Sequence, residues 1–162
     1  MFIKFNNFRV AKYVKEGETG FSASIYYGTK NVGVAKRKDG DVLLSDIHVK
    51  LRDDIKDTLI DTLKRKQKIF IDGVATPWSA ALMVLCLIEN LTMYDAVKKC
   101  VQRGNIVIKL KNEDFFQVLN IPNNPKNVAL VKKNHDSIEK FGADFIEEYN
   151  EISKFEENEV SD

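Results

Sequence analysis

The sequence predicts an α+β fold in which an N-terminal antiparallel β-meander packs on a helical layer, followed by a C-terminal amphipathic helix. Three observations predict it: a two-residue apolar alternation in the first 50 residues, helical spacing of apolar residues from residue 53 onward, and a final apolar stripe at intervals of three to four residues. The length of 162 residues suits one domain. We therefore predict a single domain over residues 1–155 and a disordered acidic tail over residues 156–162.

The first 50 residues carry the pattern of β-strands. Apolar residues between 21 and 27 alternate with serines and a tyrosine, and a Gly-Thr-Lys-Asn turn at residues 28–31 leads into a second alternating run. This arrangement predicts a hairpin. Residues 2–5 and 8–13 are also predicted to be strands, and an Asp-Gly turn predicts one more short strand at residues 42–44.

The middle of the chain changes to helical spacing. Residues 53–68 combine apolar residues three and four positions apart with acids at the start and cations at the end, as the helix dipole favours. A short strand is predicted at residues 69–71. A Thr-Pro pair then predicts the start of an apolar helix over residues 76–89, and a capping box predicts a second helix over residues 92–104.

The last third of the chain returns to strands and ends in a helix. Residues 105–111 and 115–119 predict two strands of a hairpin, and residues 128–131 predict one more strand. The stripe of the predicted final helix consists of Ile138, Phe141, Phe145, Tyr149 and Ile152.

Composition limits the classes of function. The 25 Lys and Arg residues balance 24 Asp and Glu residues, so no overall charge predicts binding to nucleic acid or to an anionic membrane. Two cysteines, Cys86 and Cys100, form no C-x-x-C pair, which indicates a reducing compartment. The first ten residues lack the apolar segment of a signal peptide, and the apolar run at residues 78–88 is too short to span a membrane. We therefore expect a cytoplasmic protein with no membrane partner.

Signatures of catalysis are absent from the sequence. The chain has no phosphate-binding glycine loop, no H-E-x-x-H zinc motif and no G-x-S-x-G nucleophile motif. Asp46 and His48 lie two residues apart on a predicted strand, where a carboxylate could orient an imidazole, but an exposed strand-end pair is the simpler interpretation. We therefore expect a protein that is not an enzyme and that has no cofactor and no metal.

Nucleic-acid binding is the main alternative to protein binding. Residues 53–119 follow the helix, strand, helix-turn-helix and hairpin order of a winged helix, in which the second helix of the turn enters the major groove. The polar face that this alternative uses consists of Lys98, Lys99, Gln102, Arg103, Lys109 and Lys111. Cations of this kind bind phosphates by releasing counterions. A further alternative, a sponge for a small anionic nucleotide, requires a cationic pocket.

Protein binding is the leading hypothesis, and two surfaces are candidates for it. The first hairpin offers aromatic and cationic side chains, and the last helix offers carboxylates that could occupy a basic cleft. The candidate residues are Tyr26, Lys30, Lys36 and Arg37 on the hairpin and Glu147, Glu148 and Glu151 on the helix.

Two stretches of the chain resemble a group of small uncharacterised phage and bacterial proteins. The hairpin FSASIYYGTKNVG at residues 21–33 is similar to their F-x-A-x-L-Y-x-x-G-K-K-x-G start, and residues 100–110 followed by 140–142 and 146–148 are similar to their ending. The similarity covers the two ends of the chain, and residues 69–90 look like an insertion. The resemblance implies a phage or prophage accessory protein, without an activity. We therefore expect a phage-encoded accessory or inhibitor protein that occupies a surface of a host protein.

Overall fold

The structure, a computed structural model, describes residues 5–113 and 115–147. It confirms the predicted α+β class. The chain divides into two units, Ile3–Ile88 and a second unit that runs from Glu89 onward. In chain order the strands and helices are β1 (Phe8–Glu16), β2 (Gly20–Tyr27), β3 (Lys30–Arg37), β4 (His48–Leu51), α1 (Asp53–Lys64), β5 (Ile69–Ile71), β6 (Val74–Thr76), α2 (Ala80–Gln102), β7 (Asn105–Leu110), β8 (Phe116–Pro122), α3 (Pro125–Asn134) and β9 (Ile138–Phe141).

The N-terminal meander is a four-stranded antiparallel sheet with the strand order β1-β2-β3-β4. Phe21, Ala23 and Ile25 are each at most 5% exposed, so the predicted alternation does place these side chains in the core. The predicted strand at residues 42–44 is wrong. Val42 and Leu43 are exposed by 65% and 61%, and a 3₁₀ turn follows them. The short apolar run fails as a strand because no neighbouring strand pairs with it in the described sheet.

A carboxylate joins two loops at one end of this sheet. Asp39 accepts hydrogen bonds from the backbone N–H groups of Glu18 and Thr19 at 3.0 and 3.2 Å, while the Thr19 hydroxyl accepts from the N–H of Gly40 at 2.8 Å. Gly17 is required beside it, because a Cβ atom there would lie 2.1 Å from the Asp39 carboxylate and the φ angle is +70°. The β1–β2 and β3–β4 connections are therefore linked by one side chain.

This link should depend on pH. The N–H groups of Thr19 and Glu18 lower the pKa of Asp39 below its ordinary value of 3.8. A carboxyl group with a lowered pKa in the folded state stabilises the fold above pH 3.8, and this stabilisation is lost as pH falls through the lowered pKa. An NMR titration should place the midpoint of Asp39 below 3.8 in the folded chain. A midpoint at or above 3.8 would contradict the link, and Asp39→Asn should remove this part of the pH dependence.

The first helix forms where it was predicted to begin, but it ends at Lys64 instead of residue 68. In α1, Ile55, Leu59 and Thr62 are buried, and two acids, Asp53 and Asp54, lie in its first turn. The buried residues recur at intervals of three and four, which is the period that the sequence shows.

The prediction of two helices between residues 76 and 104 is wrong. Thr76 is the last residue of strand β6 and does not begin a helix. At the start of α2, the hydroxyl of Ser79 accepts a hydrogen bond from the N–H of Leu82 at 3.2 Å. The helix α2 then continues without a break through Thr92 to Gln102. Residues 80–102 contain no glycine or proline, so nothing in the backbone ends the helix at the capping-box signal.

The second unit contains a three-stranded antiparallel sheet in the order β8-β7-β9, with α3 against it. Its core consists of Ile106, Ile108 and Val131, with partly buried apolar neighbours on both sheet and helix. The strand predicted at residues 128–131 is wrong, because these residues belong to α3. That helix begins with Pro125 after Asn124, whose side chain accepts a hydrogen bond from the N–H of Asn127 at 2.8 Å.

The predicted final helix begins later than its apolar stripe. Ile138 and Phe141 belong to β9, which pairs with β7, and residues 142–147 are helical. The side chain of Asp144 accepts a hydrogen bond from the N–H of Phe141 at 3.1 Å and so fixes the change from strand to helix. Phe145 is fully buried, and its ring centroid lies 4.9 Å from that of Phe116. Tyr149 and Ile152 lie outside the described residues.

Candidate binding surface

Tyr26 is not part of a binding surface, so that prediction is wrong. The side chain of Tyr26 is 1% exposed and that of Ile25 is fully buried. The pairing of β2 with β3 shifts by one residue between these two positions. The extra residue of this shift lies on β3, while Ile25 and Tyr26 pair regularly with Val10 and Arg9 of β1. The two side chains therefore lie on opposite faces of the sheet, and both faces are covered at this point.

The three cations of the first hairpin do not form one patch. Lys30 and Lys36 are exposed at opposite ends of β3, about 20 Å apart at the rise of an extended strand. Arg37 is half-buried: its Nε donates a hydrogen bond to the carbonyl oxygen of Thr19 at 2.9 Å, and its guanidinium lies 5.3 Å above the ring of Phe21. Arg37 therefore stabilises the end of the sheet, and two separated lysines remain of the predicted surface.

The acidic surface is described only at its beginning. Glu147 is exposed at the end of the described helical residues. Glu148 and Glu151, the other two carboxylates of this prediction, lie outside the described residues.

The winged-helix interpretation is wrong, because it requires a turn between two helices and α2 is continuous there. Lys98, Lys99 and Gln102 are exposed on the last turns of α2, and Arg103 directly follows it. These side chains are ordinary polar residues at a helix C-terminus, where the dipole favours cations. They are not presented by a recognition helix.

One of the two cations of the predicted wing is buried. Lys109 lies on the central strand β7 with its side chain 7% exposed, where its ammonium forms an ion pair with Glu139 and donates to the carbonyl oxygen of Leu110 at 3.3 Å. A cation that is held in this way cannot contact a phosphate, so the assignment of Lys109 to a nucleic-acid face is wrong. Lys111, in the turn after β7, is exposed.

The residues considered for catalysis are used elsewhere or are isolated. The carboxylate of Asp46 accepts a hydrogen bond from the N–H of Leu43 at 3.0 Å, while His48 is exposed on β4. Cys86 is buried and Cys100 is half-buried, and neither forms a disulfide. Within the described residues no group of three or more His, Cys, Asp and Glu side chains could hold a metal ion.

A pocket of about 220 Å³ lies in the second unit between β7, α3 and the start of the last helical residues. One cation, Lys132, and one carboxylate, Asp144, line it together with apolar side chains. The volume is below the range of about 300 to 1,000 Å³ that is typical of pockets for small-molecule ligands. This pocket therefore does not supply the cationic site that a nucleotide sponge requires. A second pocket, of about 300 Å³ between β3 and β4, is lined by Lys50 and Arg52, so the nucleotide sponge stays a prediction.

One helix within the described part of the chain, α2, is long and apolar enough to span a membrane by length and composition. Core helices of soluble proteins meet the same criterion. Leu82, Met83 and Val84, three consecutive residues that point in different directions, are each at most 3% exposed. The first half of α2 is therefore covered by protein on several sides.

The hairpin formed by β5 and β6, residues 69–76, exposes three large apolar side chains. Phe70 is 75% exposed, Val74 65% and Ile71 39%. The strands pair in register from Ile71 opposite Val74, and the turn between them has positive φ angles of 49° at Asp72 and 79° at Gly73. Positive φ at both central residues defines the tight two-residue turn that matches strand twist. The apolar side chains are thus held next to one another at the tip.

The base of this hairpin is fixed to the N-terminal unit. The indole Nε1 of Trp78 donates a hydrogen bond to the carbonyl oxygen of Gln67 at 2.6 Å, across the two ends of the hairpin. The Trp78 ring meets the fully buried ring of Phe5 edge to face, with centroids 5.2 Å apart. A two-stranded hairpin is only marginally stable alone, so these contacts are what hold it in place.

Three cations precede the hairpin and are called here the hairpin cations: Lys64, Arg65 and Lys68, all exposed. The first strand of the hairpin was predicted from the sequence, but the hairpin was not among the predicted binding surfaces. The signal was the Asp-Gly turn between two apolar runs, which is typical of a hairpin. The Thr-Pro pair that follows was interpreted as a helix start, so the second strand was overlooked.

No protein-family model matches this chain, and neither the curated proteins nor the solved structures give a significant match.

Proposed function

We propose that this chain is a non-enzymatic binding protein that acts by inserting its exposed hairpin, residues 69–76, into a partner protein. The single observation that supports the proposal is the exposure of Phe70 and Val74 by 75% and 65% on a hairpin with a fixed base. The resemblance to phage accessory proteins favours a host protein as the partner. A reducing cytoplasm is part of the proposal, and both cysteines are free.

Phe70 is the largest exposed apolar side chain of the hairpin. Burying a large apolar side chain fully contributes about 1.5 to 3 kcal/mol, and aromatic residues near the centre of an interface often dominate its affinity. The hairpin already holds this side chain in a defined position, which reduces the entropy lost on binding. An exposed aromatic group on a hairpin whose base is fixed is thus a suitable anchor for a partner.

The proposal is tested by Phe70→Ser in the full chain. We expect the wild-type chain to recover one stoichiometric protein from a bacterial lysate and Phe70→Ser to reduce that recovery at least about tenfold. The stability of the variant should stay within about 0.5 kcal/mol of the wild type, because the side chain is exposed. Recovery is quantified by mass spectrometry, and stability by urea denaturation.

A matched control is available in the second unit. Phe115 is 56% exposed, so Phe115→Ser removes a comparable aromatic side chain away from the hairpin. The control should recover the partner at the wild-type level. Equal recovery by wild type and Phe70→Ser, or no stoichiometric protein with the wild type, would contradict the proposed function.

A further inference from the structure

We infer that the partner receives the hairpin in a protein cleft with apolar walls, an acidic rim and a hydrogen-bond donor at its floor. This inference rests on the proposed function and specifies the chemistry of the surface that is bound. Three separate features of the hairpin segment carry it: apolar side chains on both faces of the tip, exposed cations at the base, and a carboxylate in the turn.

The apolar side chains lie on both faces of the hairpin. Because side chains alternate along a strand, Phe70 and its partner Ala75 share one face, and Ile71 and its partner Val74 share the other. Phe70, Ile71, Val74 and Ala75 are all exposed. A flat surface would cover one face and leave the other in water. Covering both faces requires a cleft that encloses the tip.

The base of the hairpin is positively charged. Residues 64–76 carry four cations and one carboxylate, a net charge of +3 in a chain whose total is +1. The hairpin cations make no ion pair with any described residue. They lie at the C-terminal end of α1, where the dipole also favours them, but their exposure leaves the charge free to act outward. Charge complementarity across an interface then predicts carboxylates on the rim of the cleft.

The turn carries the feature that favours a protein over a lipid surface. Asp72 occupies the tip and would enter deepest, together with Ile71 and Val74. A carboxylate that is moved into the hydrocarbon of a bilayer costs roughly 3 kcal/mol or more. A protein cleft can satisfy the same carboxylate with a backbone N–H group or a hydroxyl at its floor. The inserted tip therefore fits a cleft with a donor.

The first test reverses the charge of the hairpin cations by the combined substitutions Lys64→Glu, Arg65→Glu and Lys68→Glu. Binding of the full chain to the purified captured protein is measured at about 50 mM and about 500 mM NaCl. We expect wild-type binding to weaken with salt, and the reversed variant to bind at least about tenfold more weakly at low salt, mainly through a slower association rate. The milder Gln substitutions at the same positions should give an intermediate loss and guard against a folding defect.

The matched control reverses an equal number of cations elsewhere, by Lys98→Glu, Lys99→Glu and Arg103→Glu at the end of α2. Its affinity should stay within about twofold of the wild type. If charge reversal at the hairpin leaves the affinity unchanged while Phe70→Ser still abolishes binding, the acidic rim is wrong and the proposed function stands. If Phe70→Ser has no effect, the proposed function itself fails.

The second test decides between protein and lipid. Full-length chain is sedimented with vesicles of phosphatidylcholine alone and with vesicles that contain about 30% phosphatidylserine. We expect no sedimentation with either. Binding to the anionic vesicles that is lost in both Phe70→Ser and the charge-reversed variant would overturn the inference in favour of a lipid surface.

A third test uses a photoreactive benzoylphenylalanine at position 70. It should cross-link to partner peptides that contain Asp or Glu beside apolar residues. Cross-linked peptides without Asp or Glu would overturn the inferred acidic rim.

Discussion

Replacing Gly33 with alanine is expected to lower the free energy of unfolding by about 3 kcal/mol and to loosen the edge strand β4. A Cβ atom at this position would lie 2.3 Å from the carbonyl oxygen of Lys50 and 2.7 Å from a side-chain carbon of Leu51. The oxygen belongs to the backbone of the neighbouring strand, so a change of rotamer cannot relieve the clash. The two strands must separate instead.

The separation should spread to the start of α1. Gly33 pairs with Leu51, and the N–H of Arg52 donates to the carbonyl oxygen of Val32 at 2.8 Å just before the helix begins. We therefore expect faster hydrogen exchange at the amides of β4 and at Arg52, in addition to the loss measured by urea denaturation.

Gly28→Ala is the matched control for this prediction. Gly28 has a φ angle of +62°, but nothing lies within 4 Å of an added Cβ atom. Its replacement should therefore show only the backbone strain, about 1 kcal/mol, without faster exchange in β4. Similar losses for both variants would mean that the close approach of β3 and β4 is not the constraint.

The sequence was most informative where periodicity and turn chemistry agree. The alternation around Ala23 and Ile25 predicted β2, and the helical spacing of Ile55 and Leu59 predicted α1, because in both cases the buried apolar side chains recur at the period of the element. It was less informative for α2. The first half of that helix is apolar nearly all round, so periodicity gives no direction, and local start signals at Thr76 and Thr92 suggested boundaries that the structure does not have.

The errors near the C-terminus have a different cause. Ile138 and Phe141 are compatible both with a helical stripe and with a short strand. Which of the two structures forms depends on whether β7 offers an edge for pairing. That edge is a tertiary property. The same limit applies to Val128 and Val131, whose β-branched side chains predicted a strand although Pro125 and Asn124 favour a helix start.

The candidate site was harder to predict than the fold. Charge and residue type suggested Tyr26, Arg37 and Lys109 as contacts, and the structure uses all three internally. Phe70 was not selected, because a phenylalanine between two isoleucines predicts a buried strand. Its exposure depends on the hairpin having no further strand beside it among the described residues. A sequence pattern does not report that.

Replacing Glu139 with glutamine is expected to lower the free energy of unfolding by about 2 kcal/mol. The Lys109 side chain is 7% exposed and that of Glu139 is 29% exposed, so the substitution leaves a nearly buried ammonium without a counter-charge. The expected loss of stability is smaller than for breaking a fully buried ion pair, because water reaches the Glu139 carboxylate. Urea denaturation of the full chain measures the loss.

Two further variants identify the cause of that loss. Lys109→Met should restore stability to the wild-type level or above when combined with Glu139→Gln, because it replaces the buried ammonium with an apolar side chain of similar length. Asp53→Asn is the exposed control: it breaks the pair between Lys56 and Asp53, whose atoms are 2.7 Å apart with side chains 56% and 96% exposed. Because this pair is exposed and Asp53 also lies in the first turn of α1, the loss of stability should stay below about 1 kcal/mol. A loss for Glu139→Gln that persists in the double variant would show that Glu139 acts through contacts other than Lys109. Recovery in the double variant would instead confirm that Lys109, which the sequence suggested as a contact for nucleic acid, is a structural residue whose charge must be balanced inside the sheet.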